Sequence, residues 1–409
     1  MHRHVEEAMT AARSAGPDIG PAGVARNDRL RVALVASSYN YIKDGVALTL
    51  NRLVAYLARQ GVEVLVFAPV GRVPAFVHEG TLVPVPSISL PARPEYRFAL
   101  GLGREAASRL QAFRPDIMHI ALAPDLLGVE ALRLARRMNI PAVASYHTRF
   151  ETYLKHYWYA AGFTPVLRQY LRYGYGACDE VYVPSQSTLD ELLADGFRNN
   201  MRLWQRGVDI DRFSPGKRSA PWRREHGFAD DDVVVTFVSR LVREKELATL
   251  AAALQILRAR GVPHRALIAG DGPERANLQR ELPEAVFTGF LDGEDLAVAY
   301  ASSDIFVFPS ETETFGNVTL EAMASGLPCV CADATGSRSL VAHERTGYLA
   351  TPRNAPEFAD RIGCLVTDAN LRRQMGQAAR ARSLAFSWDD SMARILGYYE
   401  SLLRRHEDR

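Results

Sequence analysis

The chain has 409 residues, enough for two or three domains at roughly 100–200 residues each. Hydrophobic residues make up 47% and charged residues 23%, which excludes a disordered or fibrous protein. With 49 Lys+Arg against 47 Asp+Glu, the net charge of +2 excludes a generally basic surface built for nucleic acid, so any anionic partner must be met by local charge.

Residues 1–28 carry His2, Arg3, Glu6 and Glu7 and then Ala, Gly and Pro without an apolar stretch, and read as a disordered extension rather than a signal peptide. From Arg31 short β-branched runs alternate with longer amphipathic ones, the pattern of βα units around a parallel sheet. Residues 32–36 are the first predicted strand. After Asp44 and Gly45, the residues Val46, Leu50, Leu53 and Leu57 recur on one helical face, and Gly61 ends the helix. Further buried strands are predicted over 63–68, 117–120, 142–146 and 180–183, making one doubly wound domain.

The polar, Pro-containing stretch 212–224 reads as a linker. A second series follows, with strands over 233–238, 266–269, 305–308 and 329–332. Two similar α/β sheets joined by a linker leave a cleft, and ligands of such sheets bind beyond the carboxyl ends of the strands. The expected division is 29–205, completed by a helix over 385–409, and 206–384. Four cysteines, Cys178, Cys329, Cys331 and Cys364, lack metal or disulfide spacing and point to a reducing, cytoplasmic setting; Cys329 and Cys331 suit one face of a strand. No run reaches the ~18 apolar residues that a spanning helix needs.

The residues after these strands carry the chemistry. Following the strand that ends at Phe308, a loop holds Glu313, and a helix begins near Asn317 with Glu321 one turn in. Open amides at such a helix start favour ligand oxygens, and two carboxylates could each accept hydrogen bonds from vicinal hydroxyls; equally, Glu321 could complement the helix dipole with Glu313 solvated. After the strand over 233–238 come Arg240 and Lys245, two cations at the cleft edge or else a solvated rim. A single His147 follows the strand over 142–146. The first strand is not followed by Gly-x-Gly-x-x-Gly, which argues against a dinucleotide oxidoreductase.

The segment Glu313-Thr-Phe-Gly-Asn-Val-Thr-Leu-Glu321 resembles the Glu-x7-Glu signature of the family-4 retaining glycosyltransferases, whose fold is GT-B: two Rossmann-like domains facing across a cleft. The resemblance covers about 31–395. It implies that Glu313, Phe315, Gly316 and Asn317 hold donor-sugar hydroxyls and that Glu321 holds the nucleotide ribose. Ser239-Arg240-Leu-Val-Arg-Glu-Lys245 is similar to the family's Gly-Arg-Leu-x-x-Glu-Lys motif, with Ser239 for the usual Gly and Glu246 for the Gly often found after Lys. Arg240 and Lys245 are then the cations that meet the diphosphate. Asp44-Gly45 resembles the phosphate-facing helix start of the branch that glycosylates membrane lipids, including sulfolipid synthases and lipid mannosyltransferases. Gly270-Asp-Gly272-Pro is similar to a turn near the nucleotide, and His147 to a residue at the donor sugar. The expected catalytic set is Arg240, Lys245, His147 and Glu313, and the donor set adds Gly45, Phe315, Gly316, Asn317, Glu321 and Gly272.

Arg206-Gly-Val-Asp209-Ile-Asp211 resembles the family's interdomain hinge and not a metal-binding Asp-x-Asp, so no metal and no cofactor are expected. Ten aromatic residues between Tyr146 and Tyr175, interleaved with Arg149, Lys155, His156, Arg168 and Arg172, suit an interfacial surface on anionic lipid, or else the packing of the first domain. The expectation is a hexosyl- or uronosyltransferase using a UDP- or GDP-sugar donor. Its acceptor is a lipid such as diacylglycerol or ceramide, and the protein is peripheral on the inner face of the cell membrane. The alternatives are a polysaccharide or lipid-linked oligosaccharide acceptor, a nucleotide-sugar epimerase, and a non-catalytic nucleotide-sugar binder.

Overall fold

The computed structural model describes residues 29–90, 93–150 and 164–408, with backbone alone at 93–95. The expected extension at 1–28 lies outside the described residues, as do Tyr153, Lys155, His156, Tyr157, Trp158, Tyr159 and Phe163 of the aromatic stretch.

In the first half, chain order gives β1 (Arg31–Ala36), α1 (Gly45–Arg59), β2 (Glu63–Ala68), β3 (Thr81–Pro84), β4 (Ser87–Leu90), β5 (Arg93–Ala99), α2 (Gly103–Phe113), β6 (Ile117–Ala121), α3 (Leu126–Met138) and β7 (Ala142–Ser145). It continues with α4 (Thr164–Gly176), β8 (Glu180–Val183), α5 (Gln186–Ala194) and β9 (Met201–Leu203). Seven of these strands form one parallel sheet ordered β3-β2-β1-β6-β7-β8-β9, and β4 and β5 pair as a separate antiparallel hairpin.

The second half begins with α6 (Ala220–Glu225), β10 (Val234–Val238), α7 (Leu247–Ala259), β11 (Arg265–Ala269), α8 (Arg275–Glu281), β12 (Val286–Gly289) and α9 (Gly293–Ala301). Then come β13 (Ile305–Phe308), α10 (Asn317–Ala324), β14 (Cys329–Ala332), α11 (Thr335–Leu340), β15 (Gly347–Ala350), α12 (Ala355–Thr367), α13 (Ala369–Ser383) and α14 (Trp388–Glu407). Its sheet runs β12-β11-β10-β13-β14-β15.

The strands read as unbroken apolar runs because helices cover both faces of each parallel sheet. Val234–Val238 and Cys329–Ala332 are buried along their whole length, and the thiols of Cys329 and Cys331 lie in the core as expected. α1 starts where the Asp44 carboxylate accepts from Ala47 N at 2.8 Å, and buries Leu50, Leu53, Val54 and Leu57. It stops before Gly61, whose φ of +78° suits glycine. α14 buries Ile395, Tyr399 and Leu402 with the β1 and α1 residues Leu34 and Leu53.

Strand order reverses between β1 and β6 in the first sheet and between β10 and β13 in the second. A crevice opens at such a switch point, so the loops after β1, β10 and β13 are the positions at which a ligand is held.

The stretch 212–224 is not a linker but part of the second fold. α6 begins inside it, and Arg223, 2% exposed, donates to Ser302 O at 2.8 Å, Ala229 O at 2.7 Å and Asp232 O at 2.8 Å. Its guanidinium also meets Asp304 at 3.3 Å. Polar composition misled here because one buried arginine satisfies three carbonyls from two separate segments. Arg223→Met removes the side-chain donor from these carbonyls, while Asp304 keeps Arg218 and Val234 N, and is expected to cost about 3 kcal/mol, read as a lowered melting temperature; an unchanged one would show the network to be dispensable.

Candidate active site

At the first switch point Asp44 caps α1, and a Cβ on Gly45 would stand 3.4 Å from Asn317 Nδ2, at the first residue of α10. Two helix N-termini, one from each fold, therefore meet, and each directs open amides and the positive end of its dipole into the cleft. Asn317 Oδ1 is buried without a hydrogen-bond partner at this meeting point.

On the second fold the chain leaves β10 through Ser239 and Arg240 into a short 3-10 turn, Arg243–Lys245. Glu246 follows in the left-handed conformation, φ +55° and ψ +44°. A non-glycine residue there costs on the order of 1 kcal/mol, which explains why glycine suits the position; here Arg353 Nε holds the Glu246 carboxylate at 3.2 Å. Gly270, φ +138°, packs on this turn so closely that a Cβ would lie 1.8 Å from Ser239 O, and Gly272, φ +156°, so closely that one would lie 2.4 Å from Leu241 O. Leu241 N then donates to Asp271 O at 2.8 Å. Gly272, expected at the nucleotide, also lies against the Leu241 backbone, so the Arg240 loop packs on it.

Arg240 is exposed, and its Nη1 donates to Tyr96 Oη of the first fold at 3.0 Å. It also lies near enough to oppose the rise that burial imposes on the Asp44 carboxyl. Lys245 is 5% exposed; it forms an ion pair with Glu313 and sits 5.8 Å from the Phe308 ring centroid. Arg240 thus faces the cleft, while Lys245 is buried against the predicted sugar-binding carboxylate.

Glu321, one turn into α10, has different neighbours. Tyr300 Oη donates to it at 3.4 Å, and burial pushes its carboxyl up from the ordinary 4.5 to about 7, against the pull of Tyr300, Arg52 and Arg212. The folded protein therefore holds this proton to a higher pH than the unfolded chain does. Stability of the ligand-free protein is expected to fall as pH rises between about 4.5 and 7, by about 3 kcal/mol. Unfolding midpoints across that window should slope downwards in the wild type and flatten in Glu321→Gln; parallel profiles would refute it.

Phe315 lies in the core against Phe386, with ring centroids 6.0 Å apart, so only its backbone is available to a ligand. Gly316, φ +95°, caps α10 in a conformation that a side chain would strain.

His147 joins the two folds. Arg206 Nη2 donates to its Nδ1 at 2.6 Å, so Nε2 carries the proton and donates to Ser145 Oγ at 2.7 Å. Burial and the Arg206 charge hold the imidazole well below the usual histidine range, and it is neutral. With both nitrogens engaged it is not a free base. Its carbonyl accepts from Thr314 Oγ1 at 2.9 Å, while Thr314 O accepts from Ser185 Oγ at 3.2 Å and Thr188 Oγ1 at 3.0 Å. One residue beside Glu313 thus carries three bonds to the first fold. Ser187 Oγ to Ser339 Oγ at 2.9 Å, Thr335 Oγ1 to Glu191 at 2.7 Å and the Lys43–Asp292 ion pair extend the seam. Sequence reasoning missed Thr314, Arg206, Arg52 and Tyr96 as site neighbours. The last three sit in ordinary hinge, helix and strand text, and Thr314 was visible only as the residue after Glu313.

The Asp209–Asp211 pair sits in a turn held by its neighbours: Asp209 accepts from Arg212 N at 3.0 Å, and Arg380 holds Ile210 O at 3.1 Å and Phe213 O at 2.8 Å. Among the described residues no three His, Cys, Asp or Glu side chains gather as metal ligands would, and no helix is long and apolar enough to cross a membrane. Of the aromatic stretch, Tyr146 and Tyr175 are core residues, and Tyr173 is 56% exposed.

Residues 43–212 match Glycosyltransferase Family 4, and residues 219–382 match Glycosyl transferases group 1. The GDP-mannose-dependent alpha-mannosyltransferase of Mycolicibacterium smegmatis is 38% identical over 92% of this chain and 98% of its own length. The sulfoquinovosyl transferase SQD2 of Arabidopsis thaliana is 31% identical over 93% of this chain and 74% of its own length. Among solved structures, the Anabaena protein HepE in complex with UDP superposes with a TM-score of 0.71 at 21% identity, covering 91% of this chain and 100% of its own.

Proposed function

The chain belongs to the family-4 glycosyltransferases of the GT-B fold, and from that premise we propose that it transfers a hexosyl group from a nucleoside diphosphate sugar to a hydroxyl of a membrane lipid such as diacylglycerol or ceramide, with retention of anomeric configuration and without a metal ion. GDP-mannose is the first donor to test, because relatives 37–38% identical over 98% of their own length are named for it. The lipid acceptor is supported by the names of other relatives, among them the alpha-monoglucosyldiacylglycerol synthase of Streptococcus pneumoniae, 25% identical over 78% of this chain and 75% of its own length.

The observation that carries the reading is the convergence of charge: two helix N-termini at Gly45 and Asn317, with Arg240 and Lys245 from the adjoining loop. As the glycosidic bond breaks, negative charge grows on the diphosphate, and preorganised cations and amides stabilise that state more than the ground state. Glu313 and Glu321 hold the sugar and ribose hydroxyls. No enzymic nucleophile is assigned: Glu313 is paired with Lys245 and His147 is neutral with both nitrogens bonded. We therefore assign front-side displacement, in which the acceptor oxygen bonds to the anomeric carbon on the face from which the diphosphate departs. A phosphate oxygen of the leaving group takes the acceptor proton, and closure along the Thr314 seam excludes water.

The test is a donor screen with purified protein and a lipid extract, with and without a chelator, reading released nucleotide and new glycolipid by mass and the product anomer by NMR. Release of GDP or UDP coupled to an α-glycolipid, undiminished by chelator, is expected. Donor turnover that needs no acceptor and yields no glycolipid would overturn the reading.

A further inference from the structure

The β4–β5 hairpin leaves large apolar side chains exposed on one face. In an antiparallel pair directly opposed residues share a face, and one-sided sheets normally turn apolar residues inward. Here Ser87 opposes Ala99, Ile88 opposes Phe98, and Ser89 opposes Arg97. One face carries Ser87, Ser89, Arg97 and Ala99: Arg97 Nε donates to Ser87 Oγ at 2.9 Å, Ala99 is fully buried at the end nearer the first fold, and Ser89 is exposed at the other end. The outward face carries Ile88, 53% exposed, and the half-buried Phe98, with Leu90 and Leu100 beside them at 37% and 47%. Apolar side chains gathered and exposed on one face mark a surface that an apolar partner can cover.

The exposure is also concentrated. Of the eleven large hydrophobic residues exposed among the described residues, nine lie in the first fold, and five of those between Val73 and Leu100. Tyr96, two residues before Phe98 on β5, accepts from Arg240 Nη1, so the hairpin that carries this apolar surface reaches the charged end of the cleft. Arg97 N donates to Tyr41 Oη at 3.4 Å, and Tyr41 packs at Gly71, joining the hairpin to the loop that carries Val73 and Val77.

We infer that the outward face of the β4–β5 hairpin is the platform for the acyl chains of the acceptor, with the acceptor hydroxyl delivered past Tyr96 towards Arg240. This rests on the lipid-acceptor reading above. An apolar surface on the hairpin that also reaches the phosphate-facing cation suits an amphiphile whose polar end enters the cleft; a partner protein would not need that proximity.

The test uses phosphatidylcholine vesicles with and without dioleoylglycerol, measuring co-sedimentation of the full chain, and in parallel transfer to the same lipid. Wild type is expected to bind in a dioleoylglycerol-dependent manner. Ile88→Ser with Leu90→Ser, both at exposed positions, should weaken that binding about tenfold, and Ile88→Leu with Leu90→Met should restore it. Equal binding by wild type and the serine variant, or binding indifferent to dioleoylglycerol, would overturn the assignment. Dioleoylglycerol-dependent binding that follows the variants, without glycolipid being formed, would leave the platform standing and refute the proposed acceptor instead.

Discussion

Lys245→Ala is expected to lower kcat by two to three orders of magnitude while the protein keeps its fold. Lys245 is 5% exposed, in a turn fixed at both ends, and before donor binds its ammonium is held by Glu313. A charge so placed needs little reorganisation when the diphosphate arrives, the condition under which a preorganised group is worth about 3–4 kcal/mol to the transition state. The Glu313 side chain is 26% exposed, so its carboxylate can rehydrate when the lysine is lost, and the melting temperature should move little. Lys245→Arg restores charge but not shape in this enclosed site and should recover only part of the rate. Steady-state kinetics with donor saturating decide it: a loss of less than about tenfold would remove Lys245 from the proposed chemistry.

Gly270→Ala is expected to be the most damaging single methyl group in the second fold. Its Cβ would stand 1.8 Å from Ser239 O, a backbone atom that no rotamer change can move, at a φ of +138°. Strain of overpacking and of the backbone together should cost about 3–4 kcal/mol. The relief available is displacement of residues 239–241, which carries Arg240 away from Tyr96 and the cleft. Activity should therefore fall further than Arg240→Ala alone would produce, together with a lower melting temperature. A variant with normal stability and rate would mean that the Arg240 loop tolerates movement.

Both predictions depend on residues singled out in the sequence, although for Gly270 the reason lay elsewhere. Gly-Asp-Gly-Pro reads as a tight turn, yet its glycines are required because another loop lies against them. The β10 and β13 strands were legible because burial on both faces leaves continuous apolar text, and Asn317 as a helix start because a glycine precedes it. The short edge strands β3, β9 and β12 were not, because few residues and partial burial leave no period to detect. The buried Arg223 hid in text that looked like linker for a related reason: polarity in sequence does not distinguish solvent from a ring of carbonyls.

By itself the sequence determined the repeated α/β architecture, the switch-point loops and the chemical identity of the groups in them, since these follow from local periodicity and from residue type at strand ends. Only the tertiary structure decided which groups meet: that Lys245 is paired to Glu313 while Arg240 reaches Tyr96, that Thr314 bridges the folds, that Arg206 fixes His147 as a neutral ring, and that a hairpin turns its apolar face outward. Each depends on contacts between segments tens to more than a hundred residues apart, or on register, and a one-residue slip in register inverts a face without altering composition.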